Sequence, residues 1–146
     1  MESMLASPAD AATILKLYEL RTEPVMRQAR AWVLGEFWPK TADEFFEVMG
    51  NFKDPHNAWL RQVTTYWEMA AALVLHGAVS ADLFMDTNGE GFYLLAKFAP
   101  ILDEIRQRNK AFMLKTSTLV EKNAIAASRY EFALKSTTAL RASMQP

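Results

Sequence analysis

The stretch DTNGEG, Asp86 to Gly91, spaces its oxygen-bearing side chains like the opening of a calcium-binding loop. Such a loop takes oxygens from positions 1, 3 and 5, a turn from a glycine at 6, a backbone carbonyl at 7 and a bidentate glutamate at 12. Counted from Asp86, Asn88 falls at position 3, Glu90 at 5 and Gly91 at 6. Position 12 is Lys97, which sets an ammonium where the ion needs two carboxylate oxygens. Glu90 is longer than the side chain usual at position 5, and no second loop of this kind accompanies the first. The stretch reads instead as a connection between helices in which Asn and Gly supply left-handed backbone.

The two histidines, His56 and His76, lack the companions that chemistry would need. A metal or catalytic site wants a carboxylate or second histidine one helical turn away. Trp59 and Leu60 stand there after His56, and His76 closes a helix, where an imidazolium suits the dipole. No Glu-x-x-His pair points to a di-iron bundle. Glu36, Asp43, Glu44, Glu47 and Glu68 lie near an aromatic-rich region, but nothing in their spacing pairs two of them for acid–base work. Phosphate loops, nucleophile elbows and dinucleotide fingerprints are missing, and the late Ser/Thr groups have no base nearby. The expectation is a protein without resident metal or cofactor, and not an enzyme.

Aromatic residues are the most unusual feature. Trp32, Phe37, Trp38, Phe45, Phe46, Phe52, Trp59, Tyr66 and Trp67 crowd into one stretch of the chain. They suit a bulky core between short helices. The alternatives are a protein-binding patch, or a pocket of a small-ligand binder or enzyme within residues 32–67, with Trp32, Trp38 and Trp67 as walls and Glu68 as polar anchor.

These residues must be held by helices, because the apolar pattern is helical almost throughout. Ser7-Pro8 opens a first helix with Ile14, Leu17 and Tyr18 on its apolar face. A second runs over about 24–37, carrying Val25, Ala29, Trp32 and Val33. Thr41 to Glu44 forms a capping box for a short third helix. Asp54-Pro55 starts the most clearly marked helix, ending at His76 with Gly77 in the left-handed position. Ser80 caps another short one. Helical pattern resumes at Phe92, kinks at Pro100 and runs to about Leu114. The last, about 117–144, has an apolar stripe of Leu119, Ala126, Tyr130, Ala133, Leu134, Leu140 and Met144. A second stripe, Ile125, Phe132 and Ala139, repeats every seven residues. A helix with two stripes needs two partners, so these three residues are the candidates for contact with another chain.

The fold class is therefore all-α: an irregular bundle of six or seven helices with a long C-terminal helix. Residues 1–115 form a helical domain, and 116–146 an amphipathic helix packing on it and on a second chain. The 146-residue length suits one core, and 51% hydrophobic with 23% charged residues excludes disorder for its bulk. The net charge of −1 gives no general pull toward nucleic acid or anionic membrane. Basic residues gather after residue 100, but Arg106, Arg108, Lys110 and Lys115, with only Phe112 between them, fall short of a nucleic-acid motif. Without cysteine there is no disulfide, zinc thiolate or thiol catalysis. MESMLASPAD has no basic leader, and Met69–Val79, the longest apolar run, is too short for a bilayer. A cytoplasmic protein is expected, with a homo-oligomer or protein partner.

YWEMAAALVLHGAVSADLF (Tyr66–Phe84) followed by FAPILDEIRQR (Phe98–Arg108) resembles a family of small bacterial all-helical domains of unknown function. The likeness spans roughly Tyr18 to Arg108. It implies an all-α fold and a bacterial, cytoplasmic setting, and carries no activity with it.

Overall fold

The computed structural model describes residues 5–144. Residues 1–4 and 145–146 lie outside them, and with them part of the stretch read as no secretory leader and the ends of both segments named above. The described chain is helical, with no strand: α1 Pro8–Arg21, α2 Pro24–Gly35, α3 Ala42–Met49, α4 Pro55–Leu75, α5 Ala81–Thr87, α6 Glu90–Phe98, a 3-10 turn Ala99–Ile101, α7 Leu102–Arg108, α8 Leu114–Lys122 and α9 Ala124–Ser143.

Capping chemistry sets most boundaries. Ser7 Oγ accepts from Asp10 N at 3.1 Å while Asp10 accepts from Ser7 N at 2.7 Å, a reciprocal box that starts α1. The other Asp10 oxygen accepts from Ser80 N at 2.9 Å, tying α1 to the start of α5. Thr41 caps α3 through Glu44 N, and Glu44 reaches back one residue further than expected, to Lys40 N at 2.7 Å. Gly77 ends α4 at φ 73°, where a side chain would be strained.

Two helices organise the core. α4 packs against α2, α3, α5, α6 and α8. α6 is apolar nearly all round, burying Phe92, Leu94, Leu95, Ala96 and Phe98, and α9 lies along it. Gly91 lets α6 come close to α4: a Cβ there would meet the Trp67 Cβ at 3.3 Å. The aromatic stretch is mostly core. The Phe45 ring sits 5.1 Å from Phe112 and 5.4 Å from Phe98, both edge-on, with Phe37 at 6.2 Å.

Several local expectations are corrected. Asn88 and Gly89 have φ −139° and −141°, so the 86–91 connection uses no left-handed backbone, and Val25 is exposed on α2. α2 stops at Gly35, and Phe37 enters the core from the loop beyond it. Tyr18 is exposed, because α1 meets α2 and α5 only on its Ile14–Leu17 side. The helix after Pro100 ends at Arg108, followed by a turn in which Met113 is left-handed at φ 49°. The run 117–144 breaks at Asn123, whose side chain accepts from Ile125 N and Ala126 N, both at 3.0 Å, and so starts a new helix.

Candidate functional site: the outer face of the last helix

Helix α9 presents one face to the body and leaves another open. Ala126, Ala133 and Thr137 are buried against the body, with small side chains that let α9 lie close to α6. Thr137 satisfies its own hydroxyl on Ala133 O at 2.8 Å, so the seam has no orphaned polar atom. One residue is about 100° of helix turn, so Ile125 and Phe132, each preceding a buried alanine, point well away from that seam. Phe132 is 74% exposed and Ile125 46%, and Ala139 is exposed in line with them. Two of the residues assigned to the inner stripe, Leu140 and Met144, are exposed as well, because the last turns of α9 run past the buried surface of α6. Beside Phe132, an open depression of about 580 Å³ lies between α6 and α9, edged by Tyr93, Arg129, Ala133 and Ser136.

The calcium-like stretch does other work. Asn88 is buried and its carbonyl oxygen accepts from Arg21 Nη1 at 3.0 Å. Glu90 takes Arg30 with both oxygens, at 2.6 and 2.9 Å, and its Oε2 also accepts from Trp67 Nε1 at 2.8 Å. Asn88 and Glu90 thus spend their oxygens on arginines and an indole, while Asp86 is exposed. The Arg30 guanidinium is held above its ordinary range, first by the Glu90 hydrogen bonds and against the pull of burial. Among the described residues, no group of three His, Asp or Glu could hold a metal ion.

The four residues considered for a ligand pocket are not brought together. Trp32 stacks on His56 at 4.2 Å and on Phe37 at 4.8 Å. Trp67 is core, turned to Glu90. Glu68 caps α8 from α4, accepting from Lys115 N, from Thr116 N at 3.1 Å and from the Thr116 hydroxyl at 3.0 Å. Trp38 lies elsewhere, against Lys97.

Lys97 is the residue that sequence reasoning missed, having met it only as a wrong calcium ligand. It is 3% exposed, and its ammonium donates to the Val33 carbonyl and, at 3.1 Å, to Leu34 O, the last turn of α2. Burial, with Arg141 beside it, pulls it down to about 7. The two helix-end carbonyls work against that pull. The sequence signal was its place one turn from Leu94 and directly before Phe98, on a helix with no other charged residue after Glu90.

Residues 6–122 match the domain of unknown function DUF4760. The chain belongs to the DUF4760 family. The matched residues end with α8, so α9 lies beyond the DUF4760 match while packing on α6 inside it. No curated protein and no solved structure matches the chain. No helix among the described residues of this DUF4760 protein is long and apolar enough to cross a membrane.

Proposed function

We propose that this protein is a non-enzymatic, cytoplasmic helical module that self-associates as a homodimer through the outer stripe of α9. The observation that carries the reading is Phe132, which stands 74% exposed at the centre of Ile125–Phe132–Ala139. The stripe is symmetric about it, with seven residues to Ile125 on one side and seven to Ala139 on the other. A two-fold antiparallel pair of α9 helices therefore sets Phe132 on Phe132 and the large Ile125 against the small Ala139 at both ends. That is the self-complementarity an isologous contact requires. Such a contact would be completed by Tyr93 and the depression beside it. The near-zero net charge opposes association little.

Light scattering on the full chain tests this. Wild type is expected as a dimer and Phe132→Glu as a folded monomer. Burying a Phe is worth about 2 kcal/mol, and two copies are lost, so affinity should fall by roughly a thousandfold. An unchanged mass for a folded Phe132→Glu would contradict the reading. Removing the whole tail is a poorer test, because α8 and α9 supply Leu119 and Ala126 to the core.

A further inference from the structure

A second feature lies at the far end of α9. Where the loop after α2 meets the ends of α6 and α9, a partly enclosed cavity of about 220 Å³ is lined by Trp38, Pro39, Lys40, Lys97, Ile101 and Arg141 among others. Two basic groups approach the Trp38 ring: Lys97 Nζ is 4.2 Å from its centroid and Arg141 Cζ 5.7 Å. Trp38 is itself fixed, its Nε1 donating to Gly35 O at 3.2 Å. Arg141 Nη2 donates to Lys97 O at 2.7 Å, which holds the guanidinium at the cavity wall. Lys40 adds a third, exposed cation at the same cavity.

The charged side chains that line this space are all basic, and the Glu44 carboxylate nearby is bonded to the Lys40 backbone N at 2.7 Å. Among the described residues, no carboxylate lies within ion-pair distance of Lys97, Arg141 or Lys40. Like charges crowded at a partly desolvated site repel, and each loses hydration. Two α2 carbonyls and the Trp38 face offset this for Lys97. Among the described residues Arg141 makes one hydrogen bond, which uses one of its five donors. A planar fork of donors beside an aromatic face and apolar walls matches a carboxylate carried on a small apolar body. The cavity is smaller than the roughly 300–1,000 Å³ of drug-sized sites, which sets the ligand at metabolite size.

We propose that this cavity binds a small organic monocarboxylate, its carboxylate on Arg141 within the field of Lys97 and Lys40, and its apolar body against Trp38 and Ile101. Inorganic phosphate carries the charge without the apolar body, and a neutral alcohol the body without the charge, so the two separate the contributions.

The experiment is calorimetric titration of the full-length protein with benzoate, butyrate, phosphate and benzyl alcohol. At least one of the two carboxylates is expected to bind with sub-millimolar affinity, and phosphate and benzyl alcohol at least about tenfold more weakly. Arg141→Gln should weaken the carboxylate about tenfold or more, as loss of a charge-assisted pair does. Arg141 also holds α9 to α6, so Lys40→Gln, at an exposed position, serves as the second variant. It should weaken binding by a smaller factor that shrinks further with added salt. Failure of both carboxylates to bind at millimolar concentration would overturn the proposal. So would benzyl alcohol or phosphate binding as well as the carboxylates, or carboxylate binding unmoved by Lys40→Gln and by a folded Arg141→Gln.

Discussion

Replacing Glu90 by Gln should cost about 2–3 kcal/mol of folding stability, although the change is isosteric. Glu90 opens α6, and its carboxylate is the common acceptor for Arg30 Nε and Nη2 and for Trp67 Nε1. The Arg30 and Glu90 side chains are 21% and 16% exposed. An exposed ion pair is worth about 0.2–1 kcal/mol. Stripping one partner from a fully buried pair costs about 3–5 kcal/mol. This pair falls between those limits. A glutamine keeps one acceptor oxygen but turns an amide toward a guanidinium, so either Arg30 or the Trp67 indole loses its partner, at about 1–3 kcal/mol. The negative charge at a helix N-terminus, worth about 0.3–1 kcal/mol, also goes. At this chain length, the sum corresponds to a fall in melting temperature of about 6–10 °C. Urea unfolding followed by tryptophan fluorescence measures it. Arg30→Met should cost a similar amount, and the double variant less than the two together by about 1–2 kcal/mol. A Glu90→Gln protein within about 0.5 kcal/mol of wild type, or strictly additive losses, would refute the reasoning.

Two further outcomes follow from single contacts. Lys97 is pulled down to about 7 in the folded protein against an ordinary 10.5, with Arg141 and Lys40 as the charged groups facing it. From about pH 7 to pH 10 the unfolded chain therefore binds a proton that the folded chain does not, and stability should climb with pH. Below pH 7 both states are protonated and the slope vanishes. Above pH 10 Tyr66, raised to about 12 first by burial, reverses the trend because the folded chain keeps its phenol proton. Denaturant unfolding across pH 6–10 should show the climb in wild type and lose it in Lys97→Met; the same slope in both would contradict it. Glu68→Ala should cost about 1 kcal/mol by uncapping α8, with hydrogen exchange rising first in Lys115 and Thr116. Uniform exchange changes would argue against a local cap.

Much of this architecture was legible because it is written in local signals. Ser7-Pro8, Thr41, Asp54-Pro55, Gly77 and Ser80 each mark a helix boundary within a residue or two. What was hidden depends on partners far along the chain. Asn123 looks like one polar residue in a helical run, and only its two backbone contacts reveal a break. Glu90 shows its calcium-like spacing in sequence, whereas its partners Arg30 and Trp67 come from two other helices. Lys97 is the same case: a lone cation on an apolar helix is easily read as solvated, and only the end of α2 explains its burial. The Ile125–Phe132–Ala139 stripe was readable because periodicity along one helix needs no tertiary information. Its exposure did need it, since the neighbouring stripe claimed Leu140 and Met144 that the body leaves uncovered.

The proposed pairing of α9 with a second α9 can be tested by register, because the chain has no cysteine of its own. Ile125→Cys and Ala139→Cys both leave Phe132 in place. In the proposed antiparallel pair, residue 125 would face residue 139 of the other copy, while two copies of residue 125 would lie about 21 Å apart, fourteen residues of helix rise. Oxidation should therefore give a disulfide-linked dimer when the two variants are mixed, and little when each is oxidised alone. Crosslinking of either variant with itself, or none in the mixture, would contradict the account.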